Sequence, residues 1–153
     1  MNTKPIAACL LAASTLTLAA TPAFADLANV QLASSLDGPS VPNGGDSNGT
    51  ADFVAAIDGD NSRICYRLET HNVNNQTIAH IHEGTAGAPG RPLVNLQIGS
   101  DSCAYVNAAL LQDIMANPSD YYVDVLSASF PKGAVRGQLT VTDGGGSLAL
   151  SSN

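Results

Sequence analysis

The sequence has 153 residues, 44% of them hydrophobic, and its 13 acidic residues outnumber its 6 basic residues, for a formal net charge of −7. A chain this acidic repels phosphate backbones, which argues against a nucleic-acid partner. The length suits a single domain with one hydrophobic core.

Residues 1–25 have the pattern of a secretory signal peptide. Lys4 precedes an apolar run over residues 6–20 that is too short to span a bilayer, and Ala23-Phe24-Ala25 is typical of a cleavage site. Cleavage after Ala25 would leave 153 − 25 = 128 residues with a net charge of 5 − 13 = −8. The alternatives are an uncleaved membrane anchor and a lipid on Cys9. Cys9 lies too early for a lipid attachment site, because most of the apolar run follows it rather than precedes it. We therefore expect a secreted or periplasmic protein, with no transmembrane segment in its mature part.

Short strands separated by turns dominate the rest of the chain. Polar and apolar residues alternate most clearly over 51–57 and 62–70, on either side of a turn at Asp58-Gly59-Asp60-Asn61. Clusters of Gly, Pro, Asn and Ser predict loops over 37–50 and 84–92. We predict strands over residues 27–35, 51–57, 62–70, 77–83, 93–98, 121–127 and 134–142.

One helix interrupts this pattern. Asn107 is a suitable N-cap for a short helix whose apolar residues recur at helical spacing, and Asn117-Pro118 ends it. Residues 143–153 are mostly Gly and Ser and predict a frayed tail. The predicted fold is an all-β antiparallel sandwich or barrel with one short helix, in a single domain over residues 26–142.

The predicted mature chain contains two cysteines, Cys65 and Cys103. Since an export signal places them in an oxidising compartment, we predict a disulfide between them. Cys65 alternates with Ile64 and Tyr66, so it should point away from the core. The bridge should then hold residues 101–105 over the outer face of the sheet.

The residues best suited to metal binding are His80 and His82. Residues i and i+2 of a strand point to the same face, so these two imidazoles can chelate one ion. Zinc and copper sites usually have three or four protein ligands, and His71 is the candidate for a third. The alternative is structural: both strand histidines hydrogen-bond to backbone or to Asp side chains and shape the sheet.

Other functional motifs are weak or missing. The sequence contains no nucleophile elbow, phosphate-binding glycine loop or Cys/His nucleophilic pair, which argues against an enzyme. Asp58 to Glu69 has the spacing of a calcium loop, but Arg63 occupies the position that requires glycine. Arg136 lies between two glycines, where a structural ion pair with an Asp and the binding of an anionic ligand are both open interpretations.

Three segments and the cysteine pair resemble the CHRD family, named for chordin and common in exported bacterial proteins. The segments are ICYRLET (64–70), AHIHEGTAGAPGRPLVNL (79–96) and NPSDYYVDVLSASFPKGAVRGQL (117–139). The resemblance implies an immunoglobulin-like β-barrel distantly similar to copper/zinc superoxide dismutases, in a family whose bacterial members have no agreed function. It leads us to expect a non-enzymatic binding or structural module of the cell envelope or extracellular space, with an unidentified ligand. The alternative is a copper- or zinc-binding protein related to the dismutases.

The resemblance also bears on the histidines. In those dismutases a similar strand supplies two copper ligands, at the positions of His80 and His82. Many CHRD relatives read Val-Asn-Val-His-Thr where this chain reads Val123-Asp124-Val125-Leu126-Ser127, so Leu126 replaces a histidine. With so few histidines, we expect no resident cofactor beyond weak binding of copper or zinc, and no superoxide dismutase activity.

Overall fold

The computed structural model describes residues 31–142, which form nine strands and one α-helix. The strands are β1 (Gln31–Asp37), β2 (Thr50–Asp58), β3 (Arg63–His71), β4 (Gln76–Glu83), β5 (Pro92–Leu96), β6 (Gly99–Tyr105), β7 (Tyr121–Ser127), β8 (Val135–Gln138) and β9 (Thr140–Thr142), and α1 spans Ala108–Ala116. The predicted signal peptide with Cys9, residues 27–30 of the first predicted strand and the predicted tail 143–153 lie outside the described residues.

The strands form one antiparallel sheet that folds back on itself. Its order is β5-β4-β7-β8-β1-β2-β3-β6, with β9 paired to β1. Strand β8 joins the two halves, because it pairs with β7 on one side and with β1 on the other. The outer strands β5 and β6 contact each other, so the sheet nearly closes into a barrel. The predicted all-β fold with one short helix is confirmed.

The core follows from the alternation of apolar residues along the strands. Phe53 and Ile57 of β2 are buried together with Ile64 and Leu68 of β3, and the register pairs Phe53 with Leu68 and Ile57 with Ile64. Residues of the other half, such as Val123, complete the same cluster. Burial of these side chains between the two halves is the main force that stabilises the barrel.

Helix α1 packs against this core and is bounded as predicted. The side chain of Asn107 accepts a hydrogen bond from the backbone N–H of Leu110 at 2.9 Å, and Leu111 and Ile114 are buried. A 3₁₀ turn over Pro118–Asp120 then leads into β7. No helix within residues 31–142 is long and apolar enough to cross a membrane.

The disulfide is present, but its setting differs from the expectation. Cys65 and Cys103 are bonded with an S–S distance of 2.03 Å. Residues 99–105 do not lie over the face of the sheet: they form the edge strand β6, and Cys65 is directly opposite Cys103 in the β3–β6 ladder. The bridge therefore joins two neighbouring strands side by side.

The last predicted strand, over residues 134–142, is divided into β8 and β9. At the division, the N–H of Leu139 still donates to the carbonyl of Tyr121 at 2.9 Å, whereas Thr140 to Thr142 pair with β1. Gly137 allows β8 to lie close to β1, since a Cβ at this position would lie 2.3 Å from the carbonyl oxygen of Ser35. The chain thus changes partner strands within a few residues.

Candidate metal centre

Two neighbouring strands, β4 and β7, place a group of polar side chains on the face of the sheet that points away from the core. Ile81 of β4 and Val123 of β7 point inward, so the alternating residues His80, His82 and Asp124 point outward. The β4–β7 register puts His80 directly opposite Asp124. The loop of residues 84–91, between β4 and β5, lies against this group through hydrogen bonds from His82 to the carbonyl of Gly90 and from the N–H of Gly90 to Tyr122.

The carboxylate of Asp124 faces both imidazoles. Its Oδ1 lies 3.3 Å from Nδ1 of His80, and its Oδ2 lies 3.2 Å from Nε2 of His82. One potential ligand atom from each of the three residues lies within 4.8 Å of the other two. Their side chains are only 12% (His80), 11% (His82) and 9% (Asp124) exposed. These three residues, here called the His–Asp–His cluster, are close enough to bind one ion together.

The two ring nitrogens of His82 have different surroundings. Nδ1 lies 3.0 Å from the carbonyl oxygen of Gly90, so it carries the proton and donates it to that oxygen. Nε2 is buried and, although it is 3.2 Å from Asp124, makes no hydrogen bond of acceptable geometry. In the neutral ring this nitrogen presents a lone pair to a carboxylate, an arrangement that only a proton or a cation between the two atoms makes favourable.

The same contacts shift the pKa of His82. Burial opposes the charged form, but the carboxylate of Asp124 and the carbonyl of Gly90 together outweigh burial and raise the pKa above the ordinary histidine value. The surroundings therefore favour a positive charge on or beside this ring.

The 84–91 loop is held by side chains of the strands beneath it. Arg136 donates hydrogen bonds to the carbonyls of Thr85 and Ala88, both at 2.8 Å, and Gln138 donates to the carbonyl of Gly84 at 3.0 Å. At the other end of the loop, the N–H of Gly90 donates to the hydroxyl of Tyr122 at 3.1 Å. The loop is thereby fixed in position over the cluster.

The sequence allows two interpretations of Arg136, an ion pair with an aspartate and the binding of an anion. The side chain is 3% exposed, and within residues 31–142 it hydrogen-bonds to the two loop carbonyls and to Oε1 of Gln138 at 3.1 Å, not to an aspartate. Its guanidinium also lies 3.4 Å from the centre of the Tyr122 ring, which stacks on His82 with ring centres 4.7 Å apart. Within residues 31–142, carbonyl oxygens and an aromatic face therefore surround the guanidinium of Arg136 in place of a carboxylate.

The other predicted ligands lie elsewhere. His71 ends β3, is 57% exposed and has its Nε2 3.9 Å from Asp52. Strands β3 and β4 belong to different halves of the sheet, and His71 is not in the cluster formed by His80 and His82. Glu83 points to the opposite face from the histidines and forms an ion pair with Arg91 at 3.1 Å.

Asp124 is a partner of the histidines that the sequence does not predict. In the sequence, its segment stands out only because Leu126 replaces a histidine common in related sequences. A signal is nevertheless present, since alternation along β7 places Asp124 on the same face as Leu126. The pairing of β7 with β4 is needed to use it.

Residues 31–142 thus form a small, nearly closed antiparallel β-barrel with a Cys65–Cys103 disulfide. A polar cluster lies on the outer face of its sheet and is buried there beneath the 84–91 loop. The family model of the CHRD domain matches residues 32–139. The chain therefore belongs to the CHRD domain family. No curated protein and no solved structure shows significant similarity to the chain.

Proposed function

We propose that this protein is an exported, non-catalytic binding module that holds a divalent transition-metal ion at the His–Asp–His cluster. The observation that carries the proposal is the convergence of three ligand atoms within 4.8 Å of one another, on the side chains of His80, His82 and Asp124. Export is supported by the signal-peptide pattern of residues 1–25 and is compatible with the disulfide.

The donor set indicates which ions fit. Two imidazole nitrogens with one carboxylate oxygen suit Zn(II) or Cu(II), whereas calcium and magnesium prefer sites built from oxygen alone. The hydrogen bond from Nδ1 of His82 to the carbonyl of Gly90 also supports the proposal. Histidines that bind metals commonly donate their second N–H to a carbonyl or carboxylate, which fixes the orientation of the ring.

Calorimetric titration of the purified protein with Zn(II) tests this site. We expect one ion per chain, and binding that weakens as the pH falls, since protons compete with the metal for the imidazole nitrogens. His82→Ala and Asp124→Ala should each reduce the affinity by at least about tenfold, because each removes one of three ligands. His71→Ala is the matched control, since its side chain is exposed and outside the cluster.

Two results would contradict the proposal. One is wild-type affinity in His82→Ala that is still folded by circular dichroism, and the other is equal loss in His71→Ala. Either would leave the cluster with the structural role of holding the 84–91 loop. A separate assay tests the proposal that the module is not catalytic. Copper-loaded protein should dismute superoxide no faster than the same concentration of free copper.

A further inference from the structure

The basic side chains within residues 31–142 fall into two groups. Three arginines each form an ion pair with a carboxylate: Arg63 with Asp58, Arg67 with Asp101 and Arg91 with Glu83. The other two, Lys132 and Arg136, have no ion-pair partner within this part of the chain, and both line one pocket. In this part of an acidic protein, the two basic side chains without a carboxylate partner therefore line the same pocket.

The pocket lies beside the His–Asp–His cluster, between the loop after β1, the 84–91 loop and the turn before β8. Its volume is about 170 Å³. Val41, Pro42 and Pro89 form an apolar wall, and Tyr122 and Arg136 also line it. Since a cavity of about 150 Å³ can take a benzene ring, this pocket has room for a ligand of about six non-hydrogen atoms.

The charges around the pocket favour an anion. Lys132 is exposed, and a turn closed by the hydrogen bond from the N–H of Gly133 to the carbonyl of Phe130 holds it at the rim. Arg136 uses three of its five N–H donors in the hydrogen bonds to Thr85, Ala88 and Gln138, so two donors remain. Asp124 also lines the pocket, but both of its oxygens face imidazoles, at 3.3 and 3.2 Å.

We propose that this pocket binds a small aliphatic monocarboxylate. The carboxylate lies between Lys132 and the guanidinium of Arg136, and the short hydrocarbon part contacts Val41, Pro42 and Pro89. The apolar wall favours an organic acid over an inorganic anion, because it offers no hydrogen bond to a fully hydrated ion. This inference goes beyond the metal proposal and does not require a bound ion.

The test is a titration of metal-free, ¹⁵N-labelled protein with propionate, followed by NMR. We expect saturable shifts of the amide signals of Asn43, Lys132 and Gly133, and none from propionamide, which has the same shape without the charge. Sodium chloride at matched concentration controls for ionic strength. Lys132→Glu should weaken propionate binding by about tenfold or more, since it replaces an attractive charge with a repulsive one.

Arg67→Glu is the matched control variant. It changes the net charge by the same amount on β3, far from the pocket in the strand order, and should leave propionate affinity within about twofold of wild type. Lys132→Gln should give an intermediate loss, which guards against misfolding of the charge-reversed variant. Zinc affinity should be retained in all three variants, so loss of zinc binding and loss of propionate binding are separate results.

The inference is overturned if propionate gives no saturable shifts, if propionamide gives the same shifts, or if Lys132→Glu and Arg67→Glu bind propionate equally well.

Discussion

Gly90 is tightly constrained within the 84–91 loop. A Cβ atom at this position would lie 1.4 Å from the carbonyl oxygen of Glu83, which is far inside contact distance. The same residue accepts the hydrogen bond of His82 and donates to the hydroxyl of Tyr122. Any displacement of Gly90 therefore disturbs both side chains.

We predict that Gly90→Ala lowers the free energy of unfolding by about 2 kcal/mol or more, the range of substitutions that create steric overlap with backbone. Chemical denaturation followed by circular dichroism measures this change. Gly87→Ala is the comparison, because Gly87 has φ 76° but no atom within 4 Å of the position that an added methyl group would occupy. Gly87→Ala should lower the free energy of unfolding by only about 1 kcal/mol, because the positive φ is unfavourable for alanine but the added methyl group meets no other atom. Equal losses in the two variants would contradict the steric explanation.

The sequence is sufficient to predict one part of the candidate site and not the rest. His80 and His82 follow from the two-residue period of a strand, which needs only local information. Asp124 is far beyond His82 in the chain, and only the pairing of β4 with β7 brings them together. His71 is close to His80 in sequence, yet its strand belongs to the other half of the sheet. Nearness along the chain is therefore a poor guide to nearness in space.

At the scale of secondary-structure elements, β6 shows where the sequence pattern is too weak. Its sequence, GSDSCAY, contains mostly small and polar residues, so it lacks the β-branched and alternating apolar residues that predict a strand. Backbone pairing with β3, the Cys65–Cys103 bond and the ion pair of Asp101 with Arg67 hold this strand in the sheet in place of a run of apolar side chains. Helix α1, in contrast, has its cap and apolar spacing within the segment itself, so local information is enough to predict it.

We predict that replacing both cysteines with serine lowers the free energy of unfolding by about 3 to 4 kcal/mol, on the entropy model for a loop of this length. The sequence separation of the two residues is 38. Urea denaturation of the oxidised protein and the double variant measures the difference. Hydrogen exchange should then show faster exchange in β6 than in β4, because the edge strand loses its covalent link. Uniform acceleration across all strands would contradict a specific role for the bond at this edge.

The link between α1 and β7 should make stability depend on pH. Asp113 of the helix accepts hydrogen bonds from the hydroxyl of Tyr121 and the side chain of Asn117, and these lower its pKa below the usual 3.8. A carboxyl whose pKa is lowered by folding stabilises the fold above its unfolded pKa, and the stabilisation is lost as the pH falls through the folded value.

We therefore predict that the free energy of unfolding of Asp113→Asn falls less steeply than that of wild type between about pH 5 and pH 2. Denaturation curves across this range provide the measurement. Asp60→Asn is the control, because Asp60 makes no side-chain hydrogen bond or ion pair within residues 31–142. Parallel curves for Asp113→Asn and wild type would show that the contact with Tyr121 does not contribute.

At the scale of the whole molecule, the N-terminal pattern predicts export. When the full chain is expressed in a bacterial host, we expect mature protein in the periplasm or the medium, beginning at Asp26 and with no free thiol on Cys65 or Cys103. Intact mass spectrometry of these fractions without reductant measures all three properties. A control with Ala23 and Ala25 both changed to Gln should keep the first 25 residues, because a cleavage site needs small side chains. Wild-type protein that keeps these residues would contradict the prediction.

The position of β8 in the barrel sets the order in which the molecule can assemble. This strand, Val135–Gln138, connects the half that contains β4 and β7 with the half that contains β1, and its residue Arg136 pairs with Asp37, near the other end of the domain. Contacts so distant in sequence form late and slowly, because a long segment must first be brought together. The paired strands that run from β7 through β8 to β1 cannot be completed until the last residues of the domain are available. Because this pairing comes last, the sheet is completed only after most of the chain has been made, and late completion of the sheet is compatible with threading an unfolded polypeptide across a membrane.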